Sequence, residues 1–235
     1  MRLIAPAVLA LFGCLPLACS ASDVPARFLL DQHYKAVRTV QPPADPLKIE
    51  VMEVFSYSCP HCFHFEPMVD QWLEKKPADV EFTRLQWGLG QPVGILRSKA
   101  FYAAKVLGVL DKFHKALFGA IHGQGKMMAT TEELRALFVE QTGLKGEDFD
   151  GAFTGFAVDN RVRKSENLVR DLGITSVPTV VVDGRWYTNG TLAGGGSNNN
   201  VFDVVDFLVQ QARTDRKLGS PAVQKPKAHK DRKSK

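Results

Sequence analysis

One run of the chain constrains its fold more than any other. From Leu47 to Tyr57 apolar side chains alternate onto both faces: Ile49, Val51 and Phe55 on one, Met52 and Val54 on the other. A strand that is apolar on both faces has to be covered from both sides, which predicts a central, buried strand. The run leads directly into Cys59-Pro60-His61-Cys62. Whatever these cysteines do, they do it at the end of a buried strand.

The pattern after the cysteines predicts a helix from Cys59 to about Lys76. Pro60 is tolerated in its first turn, and Pro67 should kink it. Val80 to Trp87 reads as a second strand. Period-3.6 spacing then takes over: Phe113, Leu117 and Ile121 lie four apart. Thr130 and Glu133 form a capping box ahead of Leu134, Leu137 and Phe138, and Gly143 closes that helix. Phe149, Phe153 and Phe156 continue the pattern at spacings of four and three. Residues 88–157 therefore read as a bundle of three or four helices.

A further helix carries Val158, Val162, Val169 and Leu172 and stops at Gly173. Thr179 to Val182, Asp183-Gly184 and Arg185 to Tyr187 read as a hairpin, since Asp-Gly between two strand runs suits a tight turn. Thr191 to Asn200 reads as a Gly/Asn-rich loop, and Val201 to Arg213 as a last amphipathic helix. Residues 23–46, with four prolines, read as a lead-in with one short strand. Alternation of strands and helices at both ends, around an all-helical middle, predicts one α/β sheet domain with a helical insertion.

The chain ends are of a different kind. Arg2, an apolar run from Leu3 to Ala18 and the small residues Ala18-Cys19-Ser20-Ala21-Ser22 describe a secretory signal. Two processing routes are open. Cleavage near Ser20 or Ala21 removes Cys14 and Cys19. Lipoprotein processing, for which Leu15-Pro16-Leu17-Ala18-Cys19 is a partial match, leaves Cys19 lipidated. At the other end, residues 225–235 hold six basic side chains and one acid, which accounts for the whole net charge of +5. The charge is a tail, not a basic face, so no nucleic-acid partner is expected. From Leu218 on, the chain lacks apolar content and reads as disordered.

Of four cysteines, only Cys59 and Cys62 remain as a local pair beyond the signal segment. At a helix N-terminus the first cysteine faces unsatisfied N–H groups and the positive end of the helix dipole. Both favour a thiolate, and His61 can add donors or charge. A stabilised thiolate makes the corresponding disulfide a strong oxidant. Two other readings compete. A zinc half-site lacks further ligands at suitable spacing, since His33, His64, His114, His122 and His229 show no pairing. A purely structural disulfide would close a ring too small to constrain the unfolded chain much. No metal and no cofactor is expected.

The run from Val51 through Cys59-Pro60-His61-Cys62 to Glu66 resembles the active-site strand and helix of the DsbA family of periplasmic thiol:disulfide oxidoreductases. The resemblance continues at Lys112 to Phe118 and at Gly173-Ile174-Thr175-Ser176-Val177-Pro178-Thr179, and spans about residues 45–215. It implies a thioredoxin-like fold interrupted by an inserted helical domain. The chain then divides into a signal or lipoprotein signal (1–21), two thioredoxin-like parts (22–87 and 158–217), the inserted helical domain (88–157) and the basic tail (218–235).

The resemblance further implies catalytic roles for Cys59, Cys62, His61, Pro60 and Glu53. It implies a cis peptide bond before Pro178, with Val177 and Pro178 facing the cysteines and binding substrate backbone. Read alone, Pro178 is an ordinary trans proline at a strand entry. Glu53 reads either as a solvated strand carboxylate or, from the family, as a buried acid exchanging protons with Cys62. Arg84 falls where the family carries a basic partner for that acid. Glu66 reads as an exposed helix residue or as an electrostatic neighbour of the thiolate, and the histidines as surface or core residues. The implied activity is donation of disulfides to reduced secreted proteins by a periplasmic monomer, reoxidised by a DsbB-type membrane quinone oxidoreductase. The alternatives are a reductase or isomerase on the same fold, or a peptide-binding lipoprotein with little redox turnover.

Overall fold

Residues 27–218 are described by a computed structural model. The two-faced strand, Ile49–Phe55 (β2), lies inside a mixed five-stranded sheet. The other strands are Lys35–Ala36 (β1), Val80–Gln86 (β3), Thr179–Val182 (β4) and Trp186–Thr188 (β5), in the order β1-β5-β4-β2-β3. β2 runs parallel to β3 and antiparallel to β4. Glu53 stands beside Arg84 on one side and Val180 on the other.

Both faces are covered, as the alternation requires. On one, Ile49, Val51, Val180 and Val182 pack under Phe65, Val69 and Trp72 of the helix Pro60–Leu73 (α1) and under Val204, Val205 and Leu208 of Val201–Asp215 (α8). On the other, Val54 and Val181 pack against Val169 and Leu172 of Phe156–Leu172 (α6). α1 begins with Pro60, which needs no N–H there, and is continuous through Pro67. It ends three residues before Lys76, where Lys75 N–H turns back to Trp72 O at 2.9 Å.

The helical middle comprises Pro92–Val106 (α2), Leu110–Phe118 (α3), Thr131–Thr142 (α4) and Gly146–Phe153 (α5), with a π turn at Gly119–Gly123. The capping box at Thr130 closes in both directions, and Gly143 takes the left-handed φ of 74° that ends α4. Phe113 and Leu117 are buried, but Ile121 falls in the π turn, whose wider winding leaves it half-buried. The aromatic stripe stops at Phe153. Phe156 is 77% exposed, because Thr154 and Gly155 break the chain into a new helix and cancel the spacing.

The core of this helical middle is continuous with the end of β2: Phe55, Tyr57 and Cys62 share one cluster with Phe101, Phe113, Phe118 and Phe138. α6 belongs to both regions. Val158 and Val162 near its start join that cluster, whereas Val169 and Leu172 cover the sheet. In the hairpin, Asp183 and Gly184 both have positive φ, 54° and 59°. A Cβ on Gly184 would lie 2.4 Å from Gln41 O, so glycine is required by space as well as by φ. The Gly/Asn-rich segment is not a plain loop. Asn189 accepts a hydrogen bond from Leu192 N–H and starts a short helix, Gly190–Gly194 (α7), and a 3-10 turn at Asn198–Asn200 leads into α8. The stretch expected to be a signal, with Cys14 and Cys19, and the residues beyond Leu218 lie outside the described residues.

Phe138 is fully buried between Phe113 and Phe149, with ring centroids 5.6 and 5.0 Å away. Phe138→Ala is expected to cost about 3–5 kcal/mol of unfolding free energy. The check is a lower urea midpoint at unchanged m value.

Candidate active site

Strand register brings the site together. β4 runs antiparallel to β2, with Thr179 opposite Val54. The residues preceding β4 therefore lie beside the chain as it leaves β2 for the cysteines. The Val177–Pro178 bond there is cis, and Val177 O lies 3.6 Å from Cys59 Sγ. Cys59 is the N-cap of α1, half-buried, while Cys62 is one turn inside and fully buried.

The two sulfurs have opposite environments. Cys59 is lowered to about 6, chiefly because the Cys62 thiol donates towards it; burial opposes this, and the N–H groups of Cys62 and His61 and the His61 charge assist. No side-chain capping bond closes at this N-terminus. The N–H groups act on the sulfur by proximity, as a helix N-terminus does on an anion. Cys62 is pushed far up, first by desolvation, then by the neighbouring Cys59 and, among the charges, by Glu53.

Beside Cys59 a cleft of about 190 Å³ is lined by His61, Ser176, Val177, Pro178, Asn189 and Thr191. His61, Val177 and Pro178 thus share one wall system, with α7 as a neighbour that the sequence did not offer. Pro60 is the first residue of α1 and shapes its start, without lining this cleft.

Beneath the thiols lies a buried polar group. Glu53 is fully buried, on the sheet face shared with Ile49 and Val51. Burial raises its carboxyl to about 8, aided by Glu66 and opposed by Arg84. Arg84 Nε lies 3.1 Å from Glu53 Oε2, and its terminal nitrogen 2.9 Å from Glu66 Oε2. Glu66 is therefore not an exposed helix residue: its side chain is 12% exposed, because α3 packs over that face of α1. His114 of α3 is also part of this group, 2.7 Å from Tyr57 Oη and 3.1 Å from Glu66 Oε1.

Two further contacts brace the site. Arg97 is buried and donates to Ser58 Oγ at 2.8 Å and to the carbonyls of Met127 and Met128. His122 Nε2 lies 2.9 Å from Tyr57 O, and its ring stacks on Phe63. Arg97 had one sequence signal, a cation flanked by Ile95, Leu96, Ala100 and Phe101. Tyr57 had none beyond its place in the apolar run. His33 stays in the lead-in, packed against Phe28, and His64 is exposed on α1.

A strand that delivers a cysteine pair to a helix N-terminus, opposite an X-cis-proline loop, builds a dithiol–disulfide exchange centre on a thioredoxin-like fold. Comparison with known proteins agrees. A DSBA-like thioredoxin domain model matches residues 96–202. The thiol:disulfide interchange protein DsbA of Azotobacter vinelandii is 36% identical, with 91% of this chain and 98% of that one aligned. DsbA of Pseudomonas aeruginosa is 34% identical over 92% and 99%. The crystal structure of Pseudomonas aeruginosa DsbA superposes with a TM-score of 0.74 at 33% identity, covering 81% of this chain and 97% of that chain. This chain belongs to the DsbA family of thiol:disulfide oxidoreductases. Its fold is thioredoxin-like with a helical insertion, and its activity is thiol:disulfide interchange.

The thiol shifts have a signed consequence. In the unfolded chain both thiols ionise near 9.0. Between about 6 and 9 the folded protein holds Cys59 as a thiolate while the unfolded chain retains the proton, so folded stability rises with pH. Above 9 the unfolded chain also ionises Cys62 and the folded protein does not, so stability falls. Glu53 is present in both redox forms and largely cancels from their difference. The urea midpoint of the reduced form minus that of the oxidised form is expected to peak near pH 9. A flat difference would contradict the assigned environments.

Proposed function

We propose that Cys59 is the nucleophile-accepting sulfur of a disulfide donor and Cys62 its buried leaving group. The opposite shifts of the two thiols carry this reading. A substrate thiolate attacks Cys59 Sγ of the oxidised pair, the Cys59–Cys62 bond breaks, and Cys62 leaves with the electron pair. Because Cys62 cannot stay ionised in its buried position, it takes a proton, and Glu53 is the acid beneath it. A second substrate thiolate then attacks the substrate sulfur of the mixed disulfide and expels Cys59 as a thiolate. Its lowered pKa makes Cys59 a good leaving group. The substrate leaves oxidised, and the enzyme pair is left reduced.

His61 supplies charge and a backbone N–H to Cys59, and Pro60 sets the helix start. Val177 and Pro178 offer a backbone edge beside Cys59 for strand-like pairing with a substrate peptide. The substrates are reduced secreted proteins, and the compartment is the periplasm. Reoxidation falls to a DsbB-type membrane quinone oxidoreductase, and the enzyme works as a monomer. A lipid anchor on Cys19 rests on the Leu15-to-Cys19 run alone; the mass of the mature N-terminus decides it. The domain division given above, with the insertion at 88–157, is part of this reading.

Cys59→Ala is expected to abolish oxidation of a dithiol peptide. Cys62→Ser is expected to hold an oxidised peptide as a mixed disulfide through Cys59, visible by mass spectrometry under non-reducing conditions. Ready reduction of the wild-type pair by glutathione separates a donor from a reductase. A pair that resists glutathione would favour the reductase reading, and a pair that never exchanges would favour the binding-protein one.

A further inference from the structure

The polar group under the thiols extends beyond what a proton donor to Cys62 needs. Arg84 bridges Glu53 and Glu66, so two carboxylates share one guanidinium in a buried site. Two negative charges against one positive charge are disfavoured there, and the pair retains one proton. The chemistry depends on which carboxyl holds it, because Glu53 lies beneath Cys62.

The surroundings leave one side chain to decide. From α1, Asp70 adds a negative charge, but Lys115 of α3 pairs with it at 2.6 Å. Cys62 stays protonated, and Tyr57 is raised well above 10.0 by burial and is a neutral phenol. His122 is engaged with the Tyr57 carbonyl. β4 contributes Val180 and α2 contributes Phe101, both apolar. His114 remains. It is 2% exposed, boxed by Phe55, Phe101 and Phe118, and its Nε2 is 3.1 Å from the second oxygen of Glu66.

The tautomer follows from hydrogen-bond supply. Among the described residues the Tyr57 hydroxyl has no other hydrogen-bond partner, which assigns its proton to the 2.7 Å contact with Nδ1. The single proton of the neutral ring is then on Nε2, facing Glu66 Oε1. Desolvation lowers His114 and opposes a second proton, although Glu66 favours one. Nε2 and Oε1 are within reach but not aligned as a hydrogen bond, and each lacks another partner. A small turn of either side chain aligns them.

We propose that His114 is a positioning residue that keeps the shared proton on Glu53, by directing Nε2–H at Glu66 and so holding the negative charge on Glu66. The proposal rests on the reading that Glu53 supplies the proton to Cys62. It adds no redox step: one proton is located, and it moves to Cys62 only when that sulfur leaves.

The test measures the rate at which a dithiol peptide reduces the oxidised enzyme, corrected for the peptide's thiolate fraction, as a function of pH. The parent is expected to show a plateau that falls off near pH 8, where Glu53 loses its proton. His114→Leu is expected to lower the plateau about tenfold, the scale of one hydrogen bond to a charged group. His114→Asn, which reaches Tyr57 but not Glu66, should lose as much, and His114→Gln, which places a donor near Nε2, should restore most of the rate. In a Glu53→Gln background, His114→Leu should have no further effect. Parent-like rates for His114→Leu and His114→Asn would overturn the inference. An equal loss with and without Glu53 would also overturn it, since the role would then be packing alone. If Glu53→Gln alone leaves the rate unchanged, the reading of Glu53 falls first, and this inference falls with it.

Discussion

Water is excluded from the face of β2 that carries Ile49, Val51, Glu53 and Phe55, and the chemistry of the molecule depends on that exclusion. A carboxyl on that face cannot be solvated, unlike Glu50, which points the other way and is half-exposed. Glu53 therefore retains a proton well above the ordinary carboxylate range, with Arg84 offsetting part of the cost. The same strand ends at a helix N-terminus, so it delivers one sulfur to a site rich in N–H donors and the next to a dry interior. A solvated strand would give an ordinary carboxylate and two ordinary thiols.

Separation of the two sulfurs by one helical turn converts a symmetric bond into a directional one. Attack on Cys59 expels a sulfur that must be neutralised, and release from Cys59 expels one that need not be. On the proposed mechanism the buried acid serves the first event and the helix N-terminus the second. Each device is local, yet both follow from where a single turn of α1 meets the end of β2. The contact of Cys59 with the Val177 carbonyl depends on the antiparallel register of β4, so the edge proposed to face substrate is set by the sheet rather than by the loop itself.

Much of this could be read in the amino-acid sequence because it depends on alternation and turn chemistry. Parity along β2 placed Glu53 with Ile49 and Val51, Asp183-Gly184 marked its hairpin, and Thr130 with Glu133 marked a helix start. The residues whose setting was not legible are those whose environment comes from a distant element. Glu66 has the spacing of a solvated helix position, and only the packing of α3 covers it. His114 reads as one more core histidine until Tyr57 and Glu66 are brought to its two nitrogens. Phe156 failed for the opposite reason, since a local break at Thr154-Gly155 ended the periodicity it had seemed to continue. The trans reading of Pro178 is natural for an isolated strand entry, and the family resemblance alone pointed to cis.

One helix, α6, contributes to two hydrophobic cores along its length: Val158 and Val162 to the helical middle, Val169 and Leu172 to the sheet. A rod fixed at both ends leaves the two halves no hinge along that edge. Any swing of the insertion would bend α6 or pull one end of it from its core. A swing of the insertion is therefore opposed at both ends of α6, and on the proposed function adaptation to differently shaped clients falls to the clients. Chains that have not yet folded can conform to such a fixture, whereas a compact protein with its cysteines already buried cannot. On this view, rigidity acts as a filter for the conformational state of what is presented to it.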